Sequence, residues 1–485
     1  MPASFSARIS IEASNQQMNR KFFGTDGIRG PYGGPVVNED FAARLGAAAG
    51  KWVRSRREPG QEAPIVMLGR DTRLSGESLQ RALAGGLVSE GCIPVFLGIL
   101  PTPAVAQAVV NSQTSGDGGA RPPGAPGCAL GVVLTASHNP AADNGIKFFG
   151  ANGRKLSDDE ELAIESLLPG AVPAAAAAFI QQWPTFARFR PEAADDYIDR
   201  MDELLPVGAL KGWTIALDTA NGATAKTSPA VLERFGATLV RIGHHPDGVN
   251  INAGVGSEHP AAMAAKVREA GARLGIAHDG DGDRCILCDE TGAVLDGDEI
   301  LTLLAVRALR RGELPLKTLV VTVHSNLGVD AAVTAAGGRV ERTAVGDRYV
   351  IERMAKIGAN LGGESSGHII FSEASSTGDG LVAAIKVLEV MIETGKPLSE
   401  LRQALKKFPQ ASKAITVNRK PAIGGLPQLS KVIAELETEL AGQGRILVRY
   451  SGTEPKIRLL VEGPNDQVAQ AALARLEAAV HAELG

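Results

Sequence analysis

Aromatic side chains are scarce in this chain, at 4% of 485 residues, and only four cysteines occur, at 92, 128, 285 and 288. Few aromatics beside plentiful glycine and alanine suit closely packed α/β layers better than a coiled or fibrous protein. So few and so scattered cysteines exclude a secreted disulfide framework in a chain of this length. Cys285 and Cys288 do form a C-x-x-C, but their apolar run reads as a strand, where positions i and i+3 face opposite sides, so neither a zinc site nor a redox pair is expected. Charge of one sign is missing too: 50 Lys and Arg stand against 54 Asp and Glu, for a net charge of -4. No global basic field is therefore offered to nucleic acid or an anionic membrane, and any anion site must be local. No apolar run approaches the roughly 20 residues of a membrane span, and residues 1–20 hold no signal-peptide core. A cytoplasmic protein with neither nucleic acid nor membrane as partner is the expectation.

The length accommodates roughly three domains, with a fourth if one is small. A polar, patternless leader over 1–17 is expected to be disordered. From there the chain repeats one plan: strand, polar turn, helix, strand, and then a strand that ends in a polar loop. The first unit ends in Thr135-Ala136-Ser137-His138-Asn139-Pro140, the second in Asp279-Gly280-Asp281-Gly282-Asp283-Arg284, and the third in Gly363-Glu364-Ser365-Ser366-Gly367-His368. Strands alternating with helices imply right-handed crossovers and mainly parallel sheets, whose ligands gather at the carboxyl ends of the strands. The reading is thus α/β: three similar domains with mixed or parallel sheets, at 18–172, 173–293 and 294–405, and a smaller C-terminal α+β domain at 406–485, around a central cleft. Residues 171–178 read as a linker or the start of a helix. The Gly-, Pro- and Ser-rich stretch 111–127 reads as a mobile surface loop away from the chemistry.

Pro140 ends the first of these strands abruptly and biases Asn139 away from helix, which puts the Ser137 hydroxyl on a loop and predicts that it is exposed. The hexapeptide alone fits an ordinary strand-to-helix turn equally well. Asp279, Asp281 and Asp283 alternate with glycines that let the chain curl around an ion, and hard oxygen donors without thiolates favour Mg²⁺ over zinc. An EF-hand does not fit, because the run after this motif is apolar and strand-like; a nucleotide-sugar site of the D-x-D type stays open. The third loop offers a carboxylate, hydroxyls and an imidazole, a set suited to sugar hydroxyls or an amine. Arg449, Ser451, Gly452, Thr453 and Arg458 combine guanidinium groups, hydroxyls and backbone N–H groups around a turn, the chemistry of a phosphate clamp. Neither a P-loop nor a Gly-rich dinucleotide fingerprint occurs.

With Asn144-Gly145-Ile146-Lys147 after the first loop and Arg449-Tyr450-Ser451-Gly452-Thr453-Glu454-Pro455 near the end, the four loops resemble, in order, those of the α-D-phosphohexomutases. Phe23-Gly24-Thr25-Asp26-Gly27-Ile28-Arg29-Gly30 and Val345-Gly346-Asp347-Arg348-Tyr349-Val350 resemble the bacterial phosphoglucosamine mutase branch, although Ser365 stands where that branch usually has Gln. The resemblance implies an isomerase that interconverts glucosamine 6-phosphate and glucosamine 1-phosphate and so feeds amino-sugar nucleotide and cell-wall synthesis. It implies a phosphoserine at Ser137, one Mg²⁺ held by Ser137, Asp279, Asp281 and Asp283, and glucosamine 1,6-bisphosphate as intermediate and activator. Glu364, Ser366, His368, Arg348 and Arg284 would meet the sugar phosphate, and Arg449, Ser451, Gly452, Thr453 and Arg458 its unreacting phosphate. For proton transfer Lys147 is favoured, provided crowding by Arg29 lowers its pKa, and His368 is second; Arg29 would stabilise charge and His138 orient the phosphoserine. A homodimer is possible. The rivals are a phosphomannomutase/phosphoglucomutase and a non-catalytic sugar-phosphate sensor.

Overall fold

The apolar runs Ile65–Arg70, Ile93–Ile99 and Cys128–Leu134 pair in parallel, as β-branched segments separated by helices should. The next strand, Asp143–Gly150, runs antiparallel to Cys128–Leu134 because the loop carrying Ser137 between them is too short for the crossover of about a dozen residues that parallel pairing needs. Ile28–Pro31 and Arg188–Phe189 complete a six-stranded sheet. This computed structural model describes residues 20–58, 60–114, 127–183, 187–451 and 455–485. The expected leader at 1–17 and most of the 111–127 loop lie outside the described residues, as do Gly452 and Thr453.

The same device recurs twice. Leu274–His278 runs parallel to Thr214–Asp218 and then turns back into Cys285–Asp289 through the triple-Asp loop. Leu361–Gly363 runs parallel to Thr318–Thr322 and turns back into Ile369–Phe371 through the Glu364 loop. Each functional loop is therefore a hairpin that joins a parallel strand to an antiparallel neighbour, and the sheets are mixed. The last sheet, Gln410–Thr416, Arg445–Tyr450 and Lys456–Glu462, is wholly antiparallel and packs its apolar face on the helices Pro427–Glu439 and Asp466–Leu484.

The chain stays with the first sheet through Phe189, past the boundary expected at 172–173. Residues 174–181 form a helix that lies close on Gly76–Ser89, where Gly85 leaves room for the Ala176 carbonyl, and Phe179 enters the first domain's core. Cys285 and Cys288 are buried and free, and they face different apolar clusters, as a strand requires. No helix among the described residues is long and apolar enough to cross a membrane.

One apolar core runs through the first three domains, from Met67 and Val105 through Tyr197 and Leu217 to Leu319 and Leu388. Polar contacts lock it: the Tyr197 hydroxyl donates to Asp379 at 2.9 Å, and Asp379 caps the helix Gly380–Thr394. A second lock joins the first and third domains, where Arg348 donates to Glu161 at 2.6 and 2.9 Å and Arg20 reaches the same carboxylate at 2.8 Å. Removing one partner of a buried pair strands the other charge. Here Arg20 stays on Glu161, so the charge is not left bare, and Arg348→Met is expected to cost about 1–3 kcal/mol in urea unfolding for the two lost charged hydrogen bonds.

Candidate active site

Ser137 sits at φ +53°, in the left-handed region that disfavours a side chain. Its Oγ donates to Asp279 Oδ2 at 2.5 Å and lies 3.4 Å from His138 Nδ1. The residue is not exposed, as its place on a loop suggested, but only 1% accessible. The triple-Asp loop covers it: a Cβ on Gly280 would fall 2.5 Å from the Ser137 carbonyl oxygen, so only glycine lets the two loops touch. Gly282, at φ +73°, supplies the second bend that brings three alternating carboxylates to one point.

Asp279, Asp281 and Asp283 are all buried, with ligand atoms within 4.8 Å of one another, the one such group among the described residues. Asp279 is held at both oxygens, Asp281 and Asp283 at one each. Asp279 accepts from Ser137 and from the Arg284 backbone at 3.2 Å, and Asp281 Oδ2 accepts from Thr102 Oγ1 at 2.7 Å and Lys147 Nζ at 2.8 Å. Asp281 Oδ1 and Asp283 Oδ1 remain buried without a hydrogen-bond partner. Orphaned buried carboxylate oxygens are costly unless something binds them, and three converging hard donors fit a divalent cation. Burial, reinforced by Asp281 and Asp283, pushes Asp279 up to about 8. Thr102 also donates its backbone N–H to the Asp281 carbonyl at 2.9 Å, so it fixes this carboxylate from the first domain. Outer partners of this kind tune metal affinity, and Thr102→Val is expected to weaken divalent-metal binding about 10-fold in a direct titration.

Lys147 meets Asp281, Asp283 at 3.3 Å and Asp26 at 3.2 Å. Burial lowers its pKa, but Asp281 and Asp283 raise it further, and the net shift is upward despite Arg29. The lowering by Arg29 expected for a general base is outweighed because two carboxylates lie closer than that guanidinium's influence can offset. Arg29 pairs with Asp26, and Asp26 also takes Lys155. Burial pushes His138 down to about 3, helped by Arg284 and Arg29, so it is a neutral neighbour of Ser137.

The third loop closes on the second. Arg284 and His368 form a β-bridge, and the Cys285 N–H donates to the Gly367 carbonyl at 2.9 Å. His368 stands 3.5 Å from Asp283 and 3.3 Å from Asp347, and Lys155 donates to Asp347 at 2.6 Å. Burial opposes protonation of His368, yet Asp347 and Asp283 raise its pKa. Glu364 accepts from the Gly346 N–H at 3.0 Å, with Ser366 half-buried on the same turn. Arg284 lies 3.9 Å from Asp279 and donates to Glu258 at 3.2 Å. Ser137, the three Asp, Lys147, Arg29, Arg284, Glu364 and His368 thus belong to one connected cluster. Arg348 does not join it: its guanidinium is committed to Glu161 and Asp158 between the first and third domains.

Arg449 and Arg458 are directly paired across Arg445–Tyr450 and Lys456–Glu462. Burial and Arg458 lower the Arg449 pKa, and two guanidinium groups side by side are the chemistry of an anion site. Its Nε donates to His324 Nε2 at 3.1 Å, and Ser451, buried beside it, accepts at its carbonyl from Lys420 at 2.6 Å. Sequence reasoning missed Thr102, Lys155 and His324, which lie in other domains than the residues they serve, Asp281, Asp347 and Arg449, and it missed Asp26, which had a signal, next to Gly27 and Arg29 in a glycine-shaped loop.

The chain matches the phosphoglucomutase/phosphomannomutase family in four pieces: alpha/beta/alpha domain I over residues 20–171, domain II over 195–292, domain III over 296–408 and the C-terminal domain over 390–480. It is 43% identical to a phosphoglucosamine mutase of Anaeromyxobacter dehalogenans, over 94% of this chain and 97% of that one. It is 44% identical to a phosphoglucosamine mutase of Novosphingobium aromaticivorans over the same shares of the two chains. A solved structure of a putative phosphomannomutase from Thermus thermophilus superposes with a TM-score of 0.75 at 25% identity, covering 95% of this chain and 98% of that one. The chain belongs to the phosphoglucomutase/phosphomannomutase family of the α-D-phosphohexomutases, among the phosphoglucosamine mutases.

Proposed function

We propose that this protein interconverts glucosamine 6-phosphate and glucosamine 1-phosphate through a phosphoserine at Ser137 and a glucosamine 1,6-bisphosphate intermediate. The observation that carries the reading is the Ser137 hydroxyl set 2.5 Å from Asp279 in a pocket of three buried carboxylates. Free of a cation, such a pocket would repel a phosphate; with Mg²⁺ held by Asp279, Asp281 and Asp283, the charge of a phosphoryl group on Ser137 is offset and the group polarised.

The phosphorus–oxygen bond to Ser137 breaks as a sugar hydroxyl oxygen forms the new one. The bisphosphate turns over, and its other phosphate returns to Ser137. Arg449, Ser451 and Arg458, with Gly452 and Thr453 outside the described residues, are proposed to hold the phosphate that does not react, and Glu364 and Ser366 the sugar hydroxyls. Lys147 is the proposed proton carrier, with His368 the alternative. Both are raised by their carboxylates, so each enters protonated: the carrier gives its proton to the oxygen that loses the phosphoryl group and takes back the proton of the hydroxyl that gains it, which restores the carrier for the second transfer. Arg29 and Arg284 would offset charge on the transferred group.

Specificity is tested by comparing kcat/KM on the 6-phosphates of glucosamine, glucose and mannose. Glucosamine 6-phosphate is expected to lead. A lead for mannose 6-phosphate would assign the protein to phosphomannomutase chemistry, and binding without turnover of any of the three would make it a sensor.

A further inference from the structure

One buried arginine outside the charged cluster touches the nucleophile loop at more points than any group described so far. Arg73 is fully buried. Its Nη2 donates to the carbonyls of Ser137 at 3.1 Å and Asn139 at 2.8 Å, and its Nη1 donates to those of Asp143 at 2.9 Å and Pro140. Asp71, equally buried, holds the other edge of the guanidinium: it accepts from Arg73 Nε and from the Arg73 N–H, each at 2.9 Å. Asp71 also accepts from Thr135 Oγ1 at 2.7 Å, and that hydroxyl oxygen accepts from the Ser137 N–H at 2.8 Å. The backbone of Ser137 is therefore gripped at both its carbonyl and its N–H by one Asp71–Arg73 unit.

The second domain adds a matching grip. Asn252 Nδ2 donates to the Ser137 carbonyl at 2.8 Å and to the Asn139 carbonyl at 3.0 Å. The neighbours of Arg73 tie the same two domains: Thr72 Oγ1 donates to the Asn221 carbonyl at 2.6 Å, and the Leu74 N–H donates to the Gly248 carbonyl at 2.9 Å. A left-handed serine is strained and persists only where its surroundings over-determine it. Here the surroundings are these carbonyl bonds, and they come from the domain that bears Ser137 and from the domain that bears the three carboxylates.

We propose that Arg73, seconded by Asn252, is a positioning residue for phosphoryl transfer: by binding the carbonyls of residues 137–143 it fixes where Ser137 Oγ stands relative to Asp279, Asp281 and Asp283. Neither residue touches the reacting atoms, so substrate binding is left to others. This inference rests on Ser137 being the phosphate carrier.

The test uses the full-length protein, stripped of phosphate and then treated with glucose 1,6-bisphosphate and Mg²⁺, with intact mass followed over time. Phosphate appearing on wild-type Ser137 supports the carrier role; its failure to appear overturns that role and the positioning with it. Given a labelled wild type, Arg73→Met is expected to slow labelling and kcat together by about 100-fold, since a small misplacement of a reacting group costs that much. KM for the sugar phosphate should stay within about threefold, the pattern of a loss confined to the transition state. Arg73→Lys should recover part of the loss, and Mn²⁺ affinity of the phosphate-free protein should be unchanged. If Arg73→Met does not fold, Asn252→Ala decides, with about a 10-fold loss expected in both rates. Labelling and kcat at wild-type values in a folded variant, or a loss carried by KM alone, would overturn the proposal.

Discussion

Ser137→Ala is expected to lower kcat by about 10⁴-fold or more, the scale seen when a covalent nucleophile is removed. The hydroxyl is the only group on its loop aimed at the carboxylate pocket: Oγ meets Asp279, while His138 beside it is kept neutral by burial and by Arg284 and Arg29. Asn139 offers no nucleophile and Thr135 Oγ1 is already engaged with Asp71 and the Ser137 N–H, which leaves the neutral His138 imidazole as the one neighbour on the loop able to take phosphate, and intact mass would show it. The variant should fold, since the Ser137 backbone bonds to Arg73, Asn252 and Thr135 do not involve the hydroxyl. Steady-state assay and intact mass check this together. Turnover within about tenfold of wild type, or a phosphate adduct on the variant, would remove Ser137 from the mechanism.

Removal of the divalent metal is expected to abolish turnover and to give the protein a pH dependence of known sign. In the metal-free pocket burial, Asp281 and Asp283 hold Asp279 up at about 8, whereas in the unfolded chain it titrates near the ordinary value of about 4. Below about pH 4 both forms keep the proton and the stabilisation is complete; as pH rises through about 8 it is lost, so the chelator-treated protein should melt lower at alkaline pH. Burial works to raise Asp281 and Asp283 as well, but Lys147 lies against both and their net shift is downward. Their contribution is present above the unfolded pKa and lost only in acid, outside this window. A metal must displace the Asp279 proton, so affinity should climb by up to about tenfold per pH unit below pH 8 and then level off. Calorimetric titrations and thermal melts across this range measure both effects. A metal affinity flat with pH would show that Asp279 is already ionised.

Much of this site was legible because each of its loops is short and contiguous. Asp279-Gly280-Asp281-Gly282-Asp283 carries its ligands and the glycines that bend it in one string, and the pairing of an anion clamp with two arginines follows from Arg449 and Arg458 flanking one turn. The mixed sheets were less so: alternation of strands and helices predicts only the parallel part, and the antiparallel returns come from loops too short for a crossover, which send each strand back beside its predecessor. Arg348 looked like a ligand contact because it stands in a motif beside Asp347, yet successive residues on a helix point in different directions, and Arg348 turns to Glu161 while Asp347 turns to Lys155 and His368.

The sequence by itself determined which chemical groups are present, their order along the chain and the repeated plan that presents three loops at equivalent strand ends. Only the tertiary structure decided what those groups do to one another. Ser137 is buried and left-handed rather than exposed because Arg73, Asn252 and Gly280, all distant in sequence, close on its loop. Lys147 is held charged rather than freed as a base because carboxylates from another domain surround it. Burial and pairing are properties of the packed neighbours, and a string of residues carries its own chemistry but not theirs.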